Sequence, residues 1–190
     1  RGILNTLIDG SDLSREQAEL FMEDLTDGIL DERQMAAILT ALSSKGYSSD
    51  EIAGCASVLA KKKRRFPYPS DELTDIVGTG GDGKGSFNVS SLSGLIAATC
   101  GAKIAKHGNK AVSSKSGAAD FFTAAGIKLD MTPEKAAQVI DKTGFVFLMA
   151  PVYHSAMRFA APVRAVLGVK TIMNLLGPLI SHTEAKHLML

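Results

Sequence analysis

Residues 75–91 read D-I-V-G-T-G-G-D-G-K-G-S-F-N-V-S-S, a short apolar run followed by five glycines, an acid and several hydroxyls. That composition suits a turn that holds phosphate. Gly78, Gly80, Gly81, Gly83 and Gly85 carry no Cβ, so successive backbone N–H groups can converge on an anion. From Asn88 onward the pattern reads as a helix start, whose unpaired N–H groups and positive dipole end would face the same anion. A purely structural glycine turn is the plainer alternative.

Two phosphate loops of other kinds are tested against these residues. Gly78, Gly80 and Gly83 satisfy G-x-G-x-x-G, but a dinucleotide site also needs an acid about 20 residues further on for the ribose hydroxyls. No Asp or Glu occurs between Asp82 and Asp120, which argues against a nicotinamide or flavin site. Gly78 to Lys84 also fits G-x-x-x-x-G-K, yet Gly85 stands where a nucleotide-triphosphate loop places the Ser or Thr that ligates magnesium. Asp82 lies inside the loop, where it would repel a triphosphate unless it orients a hydroxyl or a metal.

Upstream of the loop the chain repeats one grammar. Ser14 with Gln17, Asp31 with Gln34 and Ser48 with Glu51 have capping-box or near-capping-box spacing. Behind them run Ala18-Phe21-Met22-Leu25, Met35-Ile38-Leu39-Leu42 and Ile52-Cys55-Ala56-Leu59, each at helical spacing. Ile3, Leu4, Leu7 and Ile8 predict one more helix ahead of these. The result is a small helical bundle ending in Lys61-Lys62-Lys63-Arg64-Arg65 and the linker Phe66-Pro67-Tyr68-Pro69. The basic run suits a helix C-terminus better than a nucleic-acid patch, because cations there oppose the negative dipole end.

From residue 72 short apolar runs alternate with helical patterns. Leu73 to Val77, Ala102 to Ala105 and Phe145 to Met149 read as buried strands. Asn88 to Cys100, Ser116 to Ala125 and Pro133 to Thr143 read as helices, the last with Thr132 as cap and Gly144 past its end. Such alternation predicts a mostly parallel sheet covered by helices, with ligands at the carboxyl ends of the strands. The glycine loop follows the first strand and Lys106-His107-Gly108-Asn109 the second, so both can meet at one edge. The fold class is therefore α/β, with a helical domain over residues 1–66 and an α/β domain over 70–190.

The second loop, K-H-G-N-K-A-V-S-S-K-S-G from Lys106, makes the acid-free stretch basic together with Lys84 and Lys103. Lys103 and Lys110 fit a solvated surface as well as a ligand. Lys106 comes straight off a buried strand, where a long donor reaches a phosphate as a point charge.

V-G-T-G-G-D-G (77–83), N-V-S-S (88–91), K-H-G-N-K-A-V-S-S-K-S-G (106–117), A-P-V-R-A-V-L-G (161–168) and N-L-L-G-P-L (174–179), in this order, resemble the anthranilate phosphoribosyltransferase family. The resemblance extends over essentially the whole chain. It implies transfer of a phosphoribosyl group from phosphoribosyl pyrophosphate (PRPP) to the amine of anthranilate in tryptophan biosynthesis, with Mg2+ as cofactor. Carried over by position, it implies a donor site of Gly78, Thr79, Gly80, Gly81, Asp82, Ser86, Asn88, Val89, Ser90 and Ser91. The second half of that site is Lys106, His107, Gly108, Asn109, Lys110, Ala111, Val112, Ser113 and Ser114, with Ala118. Asp82 and Lys106 are the catalytic assignments and Ser90 the metal ligand. Gly78, Asn109, His154 and Arg164 would contact anthranilate, Arg164 by offering its planar fork to the carboxylate. The resemblance also implies a homodimer through the helical lobe and allows a fused or associated glutamine amidotransferase. His107 is read as a packed or hydrogen-bonding residue rather than a general base, and His182 and His187 as unspecialised.

The chain departs from the family pattern at three places. Ser91 replaces Thr, Ala118 stands where Ser is frequent, and Ile180-Ser181-His182 stands where an Asn-Pro sequence is expected. The family's acidic metal pair falls beyond residue 190; Asp71-Glu72 is too early to be it. A start on Arg1 and an apolar end at Leu188-Met189-Leu190, reading as the beginning of a buried element, predict a piece of a longer chain. The alternatives are a pyrimidine nucleoside phosphorylase of the same fold, whose Lys-His-Ser-Thr pattern Lys106-His107-Gly108-Asn109 does not spell, and a non-catalytic fragment that dimerises through its helices.

Composition sets the outer bounds. Over 190 residues, 45% are hydrophobic and 22% charged, enough for one core plus a small helical lobe. Lys and Arg number 21 against 20 Asp and Glu, so no global field selects nucleic acid or an anionic membrane. Apolar runs fall well short of the roughly 20 residues that span a bilayer, and no signal-peptide pattern opens the chain, so a cytoplasmic location is expected. Cys55 and Cys100 both sit in apolar helical patterns and read as core thiols of a reducing compartment.

Overall fold

The computed structural model describes residues 2–78, 88–110 and 117–189. Four helices come first: α1 (Gly2–Ile8), α2 (Arg15–Thr26), α3 (Glu32–Lys45) and α4 (Ser49–Lys62). Then follow β1 (Leu73–Ile76), α5 (Val89–Thr99), β2 (Lys103–Gly108), α6 (Ala118–Ala124), α7 (Pro133–Thr143), β3 (Phe145–Met149) and α8 (Ala150–Tyr153). The chain ends in α9 (Ala160–Leu167), α10 (Ile172–Leu179) and β4 (His187–Met189). Two compact units result, one of Arg1–Lys63 with His154–Ile180 and the other of Arg64–Tyr153 with Ser181–Leu190.

The helical unit follows its caps. Ser14, Asp31 and Ser48 each accept from the N3 backbone N–H while Gln17, Gln34 and Glu51 reach back, so all three boxes form. Each cap supplies about 1 kcal/mol of helix stability, less than burial of the faces behind it. Glu51 does more than cap. It is fully buried, accepts from Leu13 N at 2.9 Å and Ser48 N at 2.8 Å, and pairs with Lys45 at 3.0 Å, which fixes the turn before α2. The core joins Phe21, Met22, Leu25, Leu39, Leu42, Cys55 and Leu59 to Ala160, Val163, Ile172 and Leu176. Lys62 pairs with Asp27, so this end of the basic run has an acidic partner.

Helices α2 and α4 pack tightly at Gly54. A Cβ there would lie 2.6 Å from the Arg15 carbonyl oxygen and 2.9 Å from Ala18 Cβ. Gly54→Ala gains up to about 1 kcal/mol of helix propensity. It costs roughly 1–3 kcal/mol of overpacking, because the first atom met is backbone. The expected outcome is a melting temperature roughly 3–8 °C lower by scanning calorimetry; an unchanged or raised value would contradict this packing.

The second unit is a four-stranded parallel sheet in the order β3-β2-β1-β4. Period-2 alternation divides its side chains. Ile76, Ile104, Phe145 and Phe147 face Ala119 and Phe122 of α6, with Leu95 and Ala98 of α5 packed alongside. Leu73, Ala105, Val146 and Leu148 face Ala136 and Ile140 of α7. Thr132 caps α7, and Gly144 ends it at φ 71°, a left-handed position where the missing Cβ matters.

Two expectations change, the end of β2 and the burial of Cys100. Strand β2 runs on to Gly108, because Lys106, His107 and Gly108 pair with Phe147, Leu148 and Met149 of β3; the first three residues of the expected second loop are strand. Cys55 is buried, and burial pushes its thiol up to about 12. Cys100 is exposed, since it falls on the C-cap of α5, beyond the last turn that faces the sheet. Leu188 and Met189, both exposed, belong to the edge strand β4.

Candidate functional site

At the carboxyl ends of β1 and β2, strand alternation places polar residues on both faces of the sheet. Ile104 and Lys106 share the α5 face. Lys106 is 2% exposed, yet its stem carries Nζ to the Ile76 carbonyl at 2.5 Å and to Ser90 Oγ at 3.3 Å. Burial pushes its ammonium down to about 8, and the charge of Asp75 opposes that shift. A cation held this way is partly stripped of water and fixed in aim, which strengthens any contact it makes with an anion.

Ser90 lies in the first turn of α5. Asn88 caps that helix without a side-chain hydrogen bond, and the first turn contains no acid. Ser91 Oγ is buried and has no hydrogen-bond partner among the described residues. A helix start that the Asn88 side chain does not cap, two hydroxyls and a buried ammonium together favour phosphate.

On the other face, Asp75 is fully buried and carries three donors. His107 Nδ1–H donates to Oδ2 at 2.5 Å, the His107 backbone N–H to Oδ1 at 3.3 Å, and Ser181 Oγ to Oδ2 at 2.7 Å. Ser181 also bonds Thr183 Oγ1 at 2.8 Å. His182, 1% exposed, stacks on Tyr153 and meets the His107 ring edge-on. His182 is thus a packed core residue, while His187 lies on the exposed edge strand. The hydrogen-bonding reading of His107 agrees with this geometry: its Nδ1 is engaged, and the residue is 5% exposed.

The other expected site residues fall in three groups. Thr79, Gly80, Gly81, Asp82, Ser86, Ala111, Val112, Ser113 and Ser114 lie outside the described residues. Gly78, Asn109 and Lys110 are exposed where the described stretches break off, and the Asn109 side chain accepts from Lys110 N at 2.8 Å. His154 and Arg164 belong to the helical unit. His154 is buried, with Nε2 3.3 Å from the Ile180 carbonyl. Arg164 donates from Nη2 to Asn174 Oδ1 at 3.5 Å, and burial pushes its guanidinium below the usual arginine range. Lys103 is a partly exposed, ion-paired lysine; it pairs with Asp141 at 3.1 Å and with Glu72 at 3.4 Å and contacts the Tyr68 hydroxyl. Arg64 and Arg65 pair with Glu134 and Glu184, so these two members of the basic run also have acidic partners.

Among the described residues, no group of three His, Cys, Asp or Glu could hold a metal ion. Ser90 offers one hydroxyl oxygen beside the Lys106 ammonium. This fits a hard divalent cation only as a minor ligand, with substrate phosphate oxygens and water completing the shell. No helix of the described residues is long and apolar enough to cross a membrane.

A helical bundle joined to a parallel α/β unit, with an anion-favouring edge, is the organisation of a glycosyl transferase family. The family's helical bundle domain matches residues 1–63 and its a/b domain residues 70–190. The chain belongs to that family. Within it, the chain is similar to anthranilate phosphoribosyltransferases. The protein of that name from Aeromonas salmonicida is 51% identical over 178 residues, 94% of this chain and 53% of the relative. The anthranilate phosphoribosyltransferase structure from Thermus thermophilus aligns with a TM-score of 0.82 at 44% identity, covering 96% of this chain and 55% of that one. The Saccharomyces cerevisiae enzyme in complex with PRPP and Mg aligns with a TM-score of 0.75 at 30% identity, covering 89% and 49%. The chain spans about half the length of the curated relatives it matches.

Proposed function

We propose that this chain carries the donor-binding part of an anthranilate phosphoribosyltransferase, a pentosyltransferase of tryptophan biosynthesis that moves the phosphoribosyl group of PRPP onto anthranilate. The observation that carries the reading is the buried Lys106 ammonium held against Ser90 at the start of α5. In the reaction the anthranilate nitrogen bonds to the anomeric carbon, the bond from that carbon to the pyrophosphate oxygen breaks, and the amine releases a proton. Positive charge develops on the ribose while negative charge grows on pyrophosphate. Lys106 and the α5 N–H groups would meet the growing negative charge without reorganising, so electrostatics and positioning supply the rate and no covalent nucleophile is required.

Mg2+ bound to the donor would neutralise part of the pyrophosphate charge, with Ser90 as this chain's ligand. The glycine loop from Gly78 through Ser86 and the segment from His107 through Ser114, with Ala118, complete the proposed donor contacts. Gly78, Asn109, His154 and Arg164 are the proposed anthranilate contacts. The same reading includes the domain division at residues 66 to 70, supported by the two matched ranges, and a cytoplasmic homodimer paired through the helical lobe. The exposed Ile8, Leu20 and Ile29 are compatible with such pairing. A fused or associated glutamine amidotransferase is a further proposed partner.

The test is direct. Full-length protein mixed with PRPP, Mg2+ and anthranilate should extinguish anthranilate fluorescence as product forms. Unchanged fluorescence at saturating substrate would sink the enzyme reading.

A further inference from the structure

Asp75 belongs to none of the phosphate contacts considered above, yet it is the most heavily bonded side chain at this edge of the sheet. Ion pairs in such positions are costly to bury, because desolvation offsets much of the attraction. Three donors on one fully buried carboxylate meet that cost, and their placement is informative. Two of the three come from His107, one from its ring and one from its backbone. The residue after Asp75, Ile76, offers its carbonyl to Lys106. Neighbouring residues of β1 thus grip neighbouring residues of β2 from opposite faces of the sheet.

We propose that Asp75 is a positioning residue for the phosphoribosyl donor: with Ser181 it locks His107, and through His107 it fixes the exit of β2 so that Lys106 is aimed at phosphate. The arrangement is not a hydrolytic triad. Ser181 donates to the carboxylate and not to the imidazole, so no nucleophile is activated. The Nδ1–H bond to Asp75 also selects the tautomer of His107, as carboxylates do for histidines that must hold one orientation.

The proposal rests on the reading of Lys106 as a donor ligand, and it predicts an unequal loss. Lys106 is the immediate neighbour of His107 and is anchored on β1, whereas His154 and Arg164, the proposed contacts to anthranilate alone, lie outside β2. A loosened β2 exit therefore disturbs the donor before the acceptor.

In the full-length protein, Asp75→Asn should raise the KM for PRPP about tenfold and leave the KM for anthranilate within about twofold. Ser181→Ala should act in the same direction by about threefold. His107→Asn combined with Asp75→Asn should cost less than the sum of the two single losses, because both break one connection. With 15N-histidine labelling, the downfield Nδ1–H proton of His107 should shift or vanish in Asp75→Asn. Equal rises in both KM values, or a fully additive double variant, overturn the positioning role. Should Asp75→Asn fail to fold, an unchanged PRPP KM in Ser181→Ala overturns it instead. Loss of PRPP affinity in Lys106→Met beside an unaltered Asp75→Asn defeats this proposal alone. Unaltered affinity in Lys106→Met defeats the functional reading beneath it.

Discussion

Lys106→Met is expected to cost about 3 kcal/mol of PRPP binding, roughly 100-fold in Kd, while the fold stays as stable as before or gains stability. Two opposed effects set this outcome. Lys106 is 2% exposed and burial raises the acidity of its ammonium, so the charge is an expense to the fold. Replacement of a buried charge by an apolar side chain of similar volume is often neutral or stabilising by about 1–4 kcal/mol. Loss of a donor to the Ile76 carbonyl and to Ser90 Oγ removes part of that gain. The net change should keep the melting temperature within about 4 °C of the starting protein or above it. Titration calorimetry with PRPP and Mg2+ reads the other side. A structural lysine would show the reverse result, with lost stability and intact affinity, and that result would refute the assignment.

Why these elements form is legible where the cause is local. Ser14, Asp31 and Ser48 announce three helices because each cap and its N3 partner sit within one turn. Thr132, Pro133 and Gly144 likewise bound α7 at both ends. The strand at Phe145 to Met149 is recoverable because every residue is apolar and both faces are covered. The remainder depends on partners far along the chain. Lys106 and His107 look like loop residues, and only pairing with β3 keeps them in β2. Asp75 in an apolar strand was the available signal for a buried polar partner, but Ser181 lies 106 residues away, and no local spacing reveals it. The packing of Ala160, Val163, Ile172 and Leu176 against α2 to α4 is equally remote in sequence. The glycine loop at 79–87 and the segment at 111–116 lie outside the described residues, so only their flanks, Lys106 and Ser90, carry the reading of the site.

Arg164→Ala should act on the other substrate. Arg164 lies on α9 with its guanidinium partly buried, and burial alone is what lowers its pKa. Its contact with Asn174 Oδ1 is long, at 3.5 Å, and Asn174 Oδ1 also accepts from Thr171 N at 3.0 Å. A guanidinium so weakly engaged retains donors for a carboxylate, and its planar fork matches one bidentately. Loss of hydrogen bonds to a charged group costs about 1.5–3 kcal/mol, so the anthranilate KM of the full-length protein should rise roughly 10- to 150-fold. The PRPP KM should change by less than about threefold. Arg164→Lys keeps the charge but not the fork, and it should recover only part of the loss. Arg164→Gln, which keeps much of the stem, separates packing from recognition, because an arginine also stabilises through its aliphatic part. It should melt close to the starting protein and still bind anthranilate poorly. Matching losses for both substrates, or full recovery by lysine, would show that Arg164 acts as general structure or as a point charge and not as the carboxylate fork.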